Sequence, residues 1–377
     1  MSTPLTRFAV GCMTGTSLDG LDVALARLTG RGRDLTARFI AHHSQPLPDH
    51  LRTTLHSFAV GQPHPPIDYL RAARELGALH ATAVAELCQQ HLPSDAALAF
   101  VAAHGQTICH APAERLSWQL FDPWPIVRKL DVPVVYDMRQ ADLIADGEGA
   151  PITPIADWVM YRDPEQPRFI VNLGGVCNIT TLPVDAAPDH VAGGDVGLCN
   201  LLIDGVVQRL FPDKRYDHNG ELAAAGRPVQ LTDDLWHEAL AEADARTLGR
   251  EQLQPHDIDR LLDRLRPDHS PQDIIATMVD TVAMTVALHT SDVDQPWQIV
   301  LAGGGARNPV LVERIRDHVD PAHEVLLTDE LGIPSEAREA IAFAVLGGLC
   351  EDGLPITLPS VTGSTRPGVA GTWAGVR

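Results

Sequence analysis

Positive charge is scarce in this 377-residue chain: 29 Lys and Arg stand against 49 Asp and Glu, for a formal net charge of −20. That balance excludes a general nucleic-acid or anionic-membrane surface, since either calls for a basic face, and it leaves any anionic ligand to be met by a few local donors. Cysteine is sparse and scattered. Cys12, Cys88, Cys109, Cys177, Cys199 and Cys350 show no C-x-x-C spacing, so neither a zinc site nor a disulfide framework is read, and a reducing cytoplasm is the expected compartment. No stretch reaches the roughly 18 apolar residues of a membrane-spanning helix. The N-terminus lacks the sustained apolar segment of a secretory signal, so a soluble, unprocessed protein is expected. Two phosphate-loop signatures are missing as well. No Gly-Lys-Ser/Thr follows the first glycine-rich turn, and no G-x-G-x-x-G opens a helix there, which disfavours a P-loop and a Rossmann dinucleotide site.

What the chain does have is one motif used twice. A glycine-rich turn follows a strand at Phe8 to Thr16 and runs into Leu21 to Leu25; another follows a strand at Phe169 to Val176 and runs into Thr180 to Leu182. Each reads as a β-hairpin whose tight turn exposes backbone N–H groups. A third turn, Gly303-Gly304-Gly305, follows the apolar run Ile299 to Ala302. Three glycine-tipped strands suggest a nucleotide held between two related lobes, and the length suits about two domains. Alternating strands and helices favour an α/β architecture. Helical periodicity is clearest at Tyr69 to Gln90, at Pro271 to Leu288, and at Ser335 to Leu346 with Ser335 as N-cap. Short β-type runs lie at Ala97 to Ala103 and Val132 to Tyr136, and Arg162 to Pro167 and Asp185 to His190 read as surface loops. Charged and glycine residues replace the apolar run near Asp137 to Gly149, where the hinge is placed.

In Gly11 to Gly20, glycines let the backbone approach an anion, and Thr14, Thr16 and Ser17 add hydroxyl donors suited to phosphate oxygens. Asp19 could hold Mg²⁺ there; turn geometry alone would also explain an Asp and a Gly at such a position. Asp195, among glycines just before the apolar stretch Leu201 to Val207, could accept a proton from a nucleophile or serve as a helix N-cap, the commoner task. His104 and Gln106, in Ala103-His104-Gly105-Gln106-Thr107, end a β-run with polar groups suited to hydroxyl recognition, or form an ordinary strand-end turn. Arg139 could grip a carboxylate or phosphate bidentately or pair with Asp137 or Asp142 at the surface. Glu339 sits on the last helical candidate, the usual place of a solvated side chain.

Taken together, the chain resembles the anhydro-N-acetylmuramic acid kinase family. The matching pieces begin with G-C-M-T-G-T-S-L-D-G-L-D, A-H-G-Q-T at 103 to 107, V-V-Y-D-M-R at 134 to 139 and G-A-P-I-T-P at 149 to 154. They continue with V-N-L-G-G-V-C-N-I-T at 171 to 180, Y-D-H-N-G at 216 to 220, G-R-E at 249 to 251 and P-Q-D-I-I-A-T at 271 to 277. L-A-G-G-G-A-R-N at 301 to 308, E-A-I-A-F-A at 339 to 344 and L-P-S-V-T-G at 358 to 363 complete the series. The resemblance implies a two-lobed actin-like ATPase or sugar-kinase fold with duplicated ribonuclease H-like domains and ATP in a central cleft. On that expectation residues 1–138 and about 354–377 form one lobe and 139–353 the other. It implies ATP and Mg²⁺, an anhydro-sugar substrate and a homodimer, with no nucleic acid and no membrane. Asp195 and Glu339 then stand at catalytic positions, and Arg139, Gln106, His104 and Asn178 at sugar-binding ones. Gly11, Thr14, Gly15, Thr16, Ser17, Asp19, Gly20, Asn172, Gly174 and Gly175 fall to the phosphates, with Asp19 on the metal, and Gly303, Gly304, Gly305 and Asn308 to the rest of the nucleotide.

Departures from the family pattern cluster on the sugar side. Asp195 is followed by Val196-Gly197-Leu198-Cys199-Asn200 where the family shows T-G-P-G-N, and Asp146-Gly147-Glu148-Gly149-Ala150-Pro151 replaces G-G-Q-G-A-P. Two added acids facing the pocket would disfavour the anionic lactyl group of muramic acid. A neutral anhydro sugar such as anhydroglucose is therefore the rival substrate, and a nucleotide-binding protein without catalysis the rival of another class.

Overall fold

A computed structural model describes residues 5–15, 18, 20–231 and 255–375. It divides into two compact units, one of Met1–Arg162, Ala187–Val191 and Gly332–Arg377, the other of Asp163–Ala186 and Ala192–Leu331. The expected boundary at 138/139 and 353/354 falls elsewhere. The reason is long-range packing: the helix Arg338–Glu351 lies on the first sheet and against the helix Pro154–Tyr161, so both join the early stretch of chain, as the strand Thr372–Ala374 does, as expected, by pairing with Val134–Tyr136.

The first unit contains β1 (Thr6–Thr14), β2 (Gly20–Thr29), β3 (Thr36–Pro46), β4 (Leu98–Ala103), the two-stranded β5 (Gln106–Ala111) and β6 (Leu116–Leu120), and β7 (Val134–Tyr136). The second unit contains β8 (Arg168–Leu173), β9 (Val176–Leu182), β10 (Ala192–Leu198), β11 (Gln298–Ala302) and β12 (Glu324–Leu327), and β13 (Thr372–Ala374) returns to the first. The sheet orders are β13-β7-β4-β1-β2-β3 and β10-β9-β8-β11-β12. Read from the hairpin outward they coincide: β2 runs antiparallel to both β1 and β3, as β9 does to β8 and β10, while β4 and β7 lie parallel to β1 as β11 and β12 lie parallel to β8. This is the duplicated α/β architecture the resemblance implies, with β13 added at one edge of the first copy.

Each sheet buries one face under a long helix. In the first unit Val10, Cys12, Val23 and Leu25 pack with Ala81, Val84 and Leu87 of the helix Pro66–His91. In the second, Phe169, Val171, Leu173, Cys177 and Ile179 pack with Ile274, Ile275, Met278 and Val279 of the helix Pro271–His289. Full burial of such side chains is worth about 1.5–3 kcal/mol each, so these contacts dominate the assembly of each unit. Ser270 starts the second helix with a capping box closed by Asp273, which satisfies donors the first turn would leave orphaned. Ser335 makes no such cap: the helix Arg338–Glu351 begins after Ala337, with no side-chain cap. Its start is held instead by a buried charge pair, where the Arg338 guanidinium donates to both carboxylate oxygens of Asp157, Nε at 3.1 Å from Oδ1.

Candidate active site

In the first unit His104, Gln106 and Arg139 follow the carboxyl ends of the parallel strands β4 and β7, where α/β sheets place their ligands. Strand β4 ends at His104-Gly105 and β7 leads to Arg139. Arg139 is half-buried and its guanidinium is fully directed. Nε and Nη2 donate to Nε2 of His104 at 3.3 and 2.9 Å, and Nη1 donates to the Gly149 carbonyl at 2.7 Å. It is not the surface ion pair with Asp137 or Asp142 that the sequence allowed. Asp142 acts one step back. Fully buried, it accepts from the Gly149 N–H at 2.7 Å and from the Thr362 hydroxyl at 2.7 Å, fixing the loop whose carbonyl holds Arg139. Burial lowers the Arg139 pKa to about 10 against the pull of the Glu339 and Asp142 carboxylates, so it stays charged at neutral pH. That coupling also puts Glu339, in the first turn of Arg338–Glu351, in the electrostatic neighbourhood of Arg139.

His104 is buried, and desolvation and the Arg139 charge push its pKa down to about 3. The ring is therefore neutral, its Nε2 lone pair accepts from Arg139, and its proton belongs on Nδ1. Gln106 is buried beside it, on the far side of Gly105. Thr14 turns inward: its hydroxyl donates to the Gly105 carbonyl at 2.5 Å, so that proton is taken. Gly11 lies in mid-strand, where a Cβ would overlap the carbonyl oxygen of Ala340; its task is to let helix Arg338–Glu351 lie on the sheet. Gly20 is pressed against the Gln45 carbonyl, 2.7 Å from where its Cβ would stand. Gly15 closes the described part of the hairpin by accepting from the Leu18 N–H, and Leu18 anchors the tip in the apolar cluster with Leu51, Leu55 and Phe58. Thr16, Ser17 and Asp19 lie outside the described residues.

The second unit places chemistry on the strands themselves. Asp195 on β10 is paired in register with Asn178 on β9, and Asn178 with Asn172 on β8, so three polar side chains form one row across the sheet. Gly193 to Gly197, the glycine-rich stretch just before the apolar run Leu201 to Val207, is this edge strand. The N-cap of the helix Asn200–Leu210 is Cys199, which removes the capping alternative for Asp195. Beyond the row stand the two glycine turns. Gly303 has φ +82, and the Asn172 Oδ1 would be 2.6 Å from a Cβ there, so a side chain is excluded by conformation and by space. Asn200, outside the candidate set, donates through Nδ2 to the Leu173 carbonyl at 3.0 Å and flanks Gly304 and Gly305. Gly174 and Gly175 accept from the Asn200 and Leu201 N–H groups. Asn308 has a structural task, accepting from the Val310 and Leu311 N–H groups as N-cap of the helix Pro309–His318.

The profile of the anhydro-N-acetylmuramic acid kinase family matches residues 7–374. The chain belongs to that family. An anhydro-N-acetylmuramic acid kinase of Salinibacter ruber is 36% identical over 95% of this chain and 94% of its own, and one of Bacillus cereus is 33% identical over 97% and 98%. Among solved structures, the activator of the 2-hydroxyisocaproyl-CoA dehydratase from Clostridium difficile with bound ADPNP superposes with a TM-score of 0.47 at 12% identity, over 92% of this chain and 96% of that one.

Of the two added acids, Asp146 is exposed and forms an ion pair with Arg115 at the β5–β6 turn, so its charge is locally compensated. Glu148 is half-buried, and its N–H donates to the Thr362 carbonyl at 3.0 Å. No group of three or more His, Cys, Asp or Glu side chains able to hold a metal occurs among the described residues. No helix among the described residues is long and apolar enough to cross a membrane.

Proposed function

We propose that this chain is an ATP-dependent kinase that opens the 1,6-anhydro ring of anhydro-N-acetylmuramic acid by hydrolysis and phosphorylates the freed O6, giving N-acetylmuramic acid 6-phosphate in cell-wall sugar recycling. Asp195 takes a proton from a water molecule as that water attacks the anomeric carbon. The C1–O6 bond breaks, its electron pair stays on O6, and O6 takes the γ-phosphoryl group, releasing ADP. Asn178 and Asn172 hold the row in which Asp195 sits, Glu339 supports the attacking water, and Arg139 with Gln106 engages the sugar. The glycine turns at 174–175 and 303–305 serve the nucleotide, and Mg²⁺ bound with it would neutralise charge on the phosphates. Rate then comes from positioning and charge stabilisation. The observation that carries the reading is the register row Asp195–Asn178–Asn172 beside two glycine turns, in a chain of this family. Cytoplasmic residence and a homodimer belong to the same reading.

The test is ADP release by the purified protein with ATP and Mg²⁺ and, in parallel, 1,6-anhydro-N-acetylmuramic acid, 1,6-anhydroglucose and N-acetylmuramic acid. Release with the first alone is expected. Release only with anhydroglucose would reassign the substrate, and none with any of the three would favour a nucleotide-binding role without catalysis.

A further inference from the structure

The geometry points to His104 as a positioning residue that aims Arg139 through a ring-nitrogen acceptor, and not as a group that touches the sugar or moves a proton. The inference rests on the reading of Arg139 as a sugar-side residue. Nε2 is the only lone pair a neutral imidazole offers, and two guanidinium donors converge on it at 3.3 and 2.9 Å. With Nη1 committed to the Gly149 carbonyl, the Arg139 fork is fixed at both ends, and its remaining N–H donors have a set direction. A cation held this way loses little freedom when it meets an oxygen of the substrate.

The ring packs on an aromatic neighbour and the backbone that carries it is hydrogen-bonded. It lies 5.1 Å, centroid to centroid, from Phe343, one turn beyond Glu339 on the same helix. The His104 N–H donates to the Cys12 carbonyl at 3.0 Å, and the next residue, Gly105, accepts the Thr14 hydroxyl. His104 therefore ties Arg139 to the end of β1 and to the helix that carries Glu339. A ring held neutral down to about pH 3 does not change its charge near neutrality, in keeping with acceptance through Nε2 as its contribution.

The experiment compares His104→Gln, whose side-chain oxygen can occupy the Nε2 position, with His104→Met, which fills similar space and accepts poorly. Sugar KM should rise about tenfold or more in His104→Met, the worth of a hydrogen bond to a charged group, while ATP KM moves less than twofold; His104→Gln should recover most of the loss. The acid limb of the pH–rate profile should be unchanged in His104→Gln. If Gln is as impaired as Met, or the acid limb disappears, His104 contacts substrate or transfers a proton, and the inference falls. If Met behaves as wild type, Arg139 needs no acceptor and it falls as well. A second readout is independent of turnover: hydrogen exchange at Arg139 Nε, followed by arginine-labelled NMR, should be slow in wild type and His104→Gln and fast in His104→Met. An exposed, fast-exchanging Nε in wild type overturns the inference, whereas slow exchange without any ADP release overturns the functional reading alone.

Discussion

The sheet face turned away from the long helix is used in opposite ways by the two units. In the first, that face of β1 is closed: Gly11 admits the backbone of Arg338–Glu351, and the helix is pinned by Arg338 and Asp157, both fully buried. In the second, the corresponding face of β8, β9 and β10 carries Asn172, Asn178 and Asp195 in one row. One strand order thus supports two strategies. The first unit spends its strands on packing and moves its chemistry to the strand ends, where His104 and Arg139 meet. The second keeps its chemistry on the strands and leaves its turns to small residues.

The comparison can be broken most forcefully at the buried pair. Asp157→Asn removes the carboxylate that both Arg338 donors engage, between two fully buried side chains, and should cost about 3–5 kcal/mol, read by urea unfolding. Hydrogen exchange should report loss of protection in β1 and the helix Arg338–Glu351, while β8 and the helix Pro271–His289 keep theirs; equal loss in both units would remove the distinction.

Acid offers a second route of similar size. His80, fully buried with Nδ1 donating to the Leu76 carbonyl at 2.8 Å, is lowered to about 4 by desolvation, and His104 to about 3. Both belong to the first unit. The unfolded chain binds these protons near pH 6.5 and the folded one does not, so the stabilisation is full above about pH 6.5 and is lost as pH falls toward 4 and then 3. For His80 the span corresponds to roughly 3 kcal/mol. Between pH 7 and pH 5, protection in the helix Pro66–His91 should fall more than in Pro271–His289, after correction for intrinsic exchange.

A smaller effect separates the glycines. Gly11→Ala forces a methyl group into helix backbone and should destabilise by about 1–3 kcal/mol or more. The nearest neighbour of a Cβ at Gly304 is Asn200 Nδ2 at 3.8 Å, so Gly304→Ala should change stability by less than about 0.5 kcal/mol and register in ATP KM instead. Thermal unfolding and steady-state kinetics on the two variants decide it.

The hairpins and glycine turns were legible because close backbone approach leaves a glycine in the sequence, and the helix Pro271–His289 because Pro opens an uninterrupted periodic run. Gly11 was legible for the wrong reason: its Cβ space is taken by a helix far along the chain, which no local pattern shows. Strand β10 left no strand signal in the sequence because Gly193-Gly194-Asp195-Val196-Gly197 has neither alternation nor β-branched enrichment; pairing with β9 makes it a strand. The division at Arg162 and Leu331 was hidden by the long-range packing of the helix Arg338–Glu351 on the first sheet and on the helix Pro154–Tyr161. The roles of Asp142, Gly149 and Asn200 were not legible, since they are backbone or support contacts visible only once the loops meet.

The most direct test of the account is Asp195→Asn, assayed for ADP release with ATP, Mg²⁺ and 1,6-anhydro-N-acetylmuramic acid and, separately, for ATP binding by calorimetry. The account predicts a fall in kcat of about 10²–10⁴-fold, the worth of a positioned base, with ATP affinity within twofold of wild type. Turnover retained at the wild-type rate would contradict Asp195 as the group that activates water.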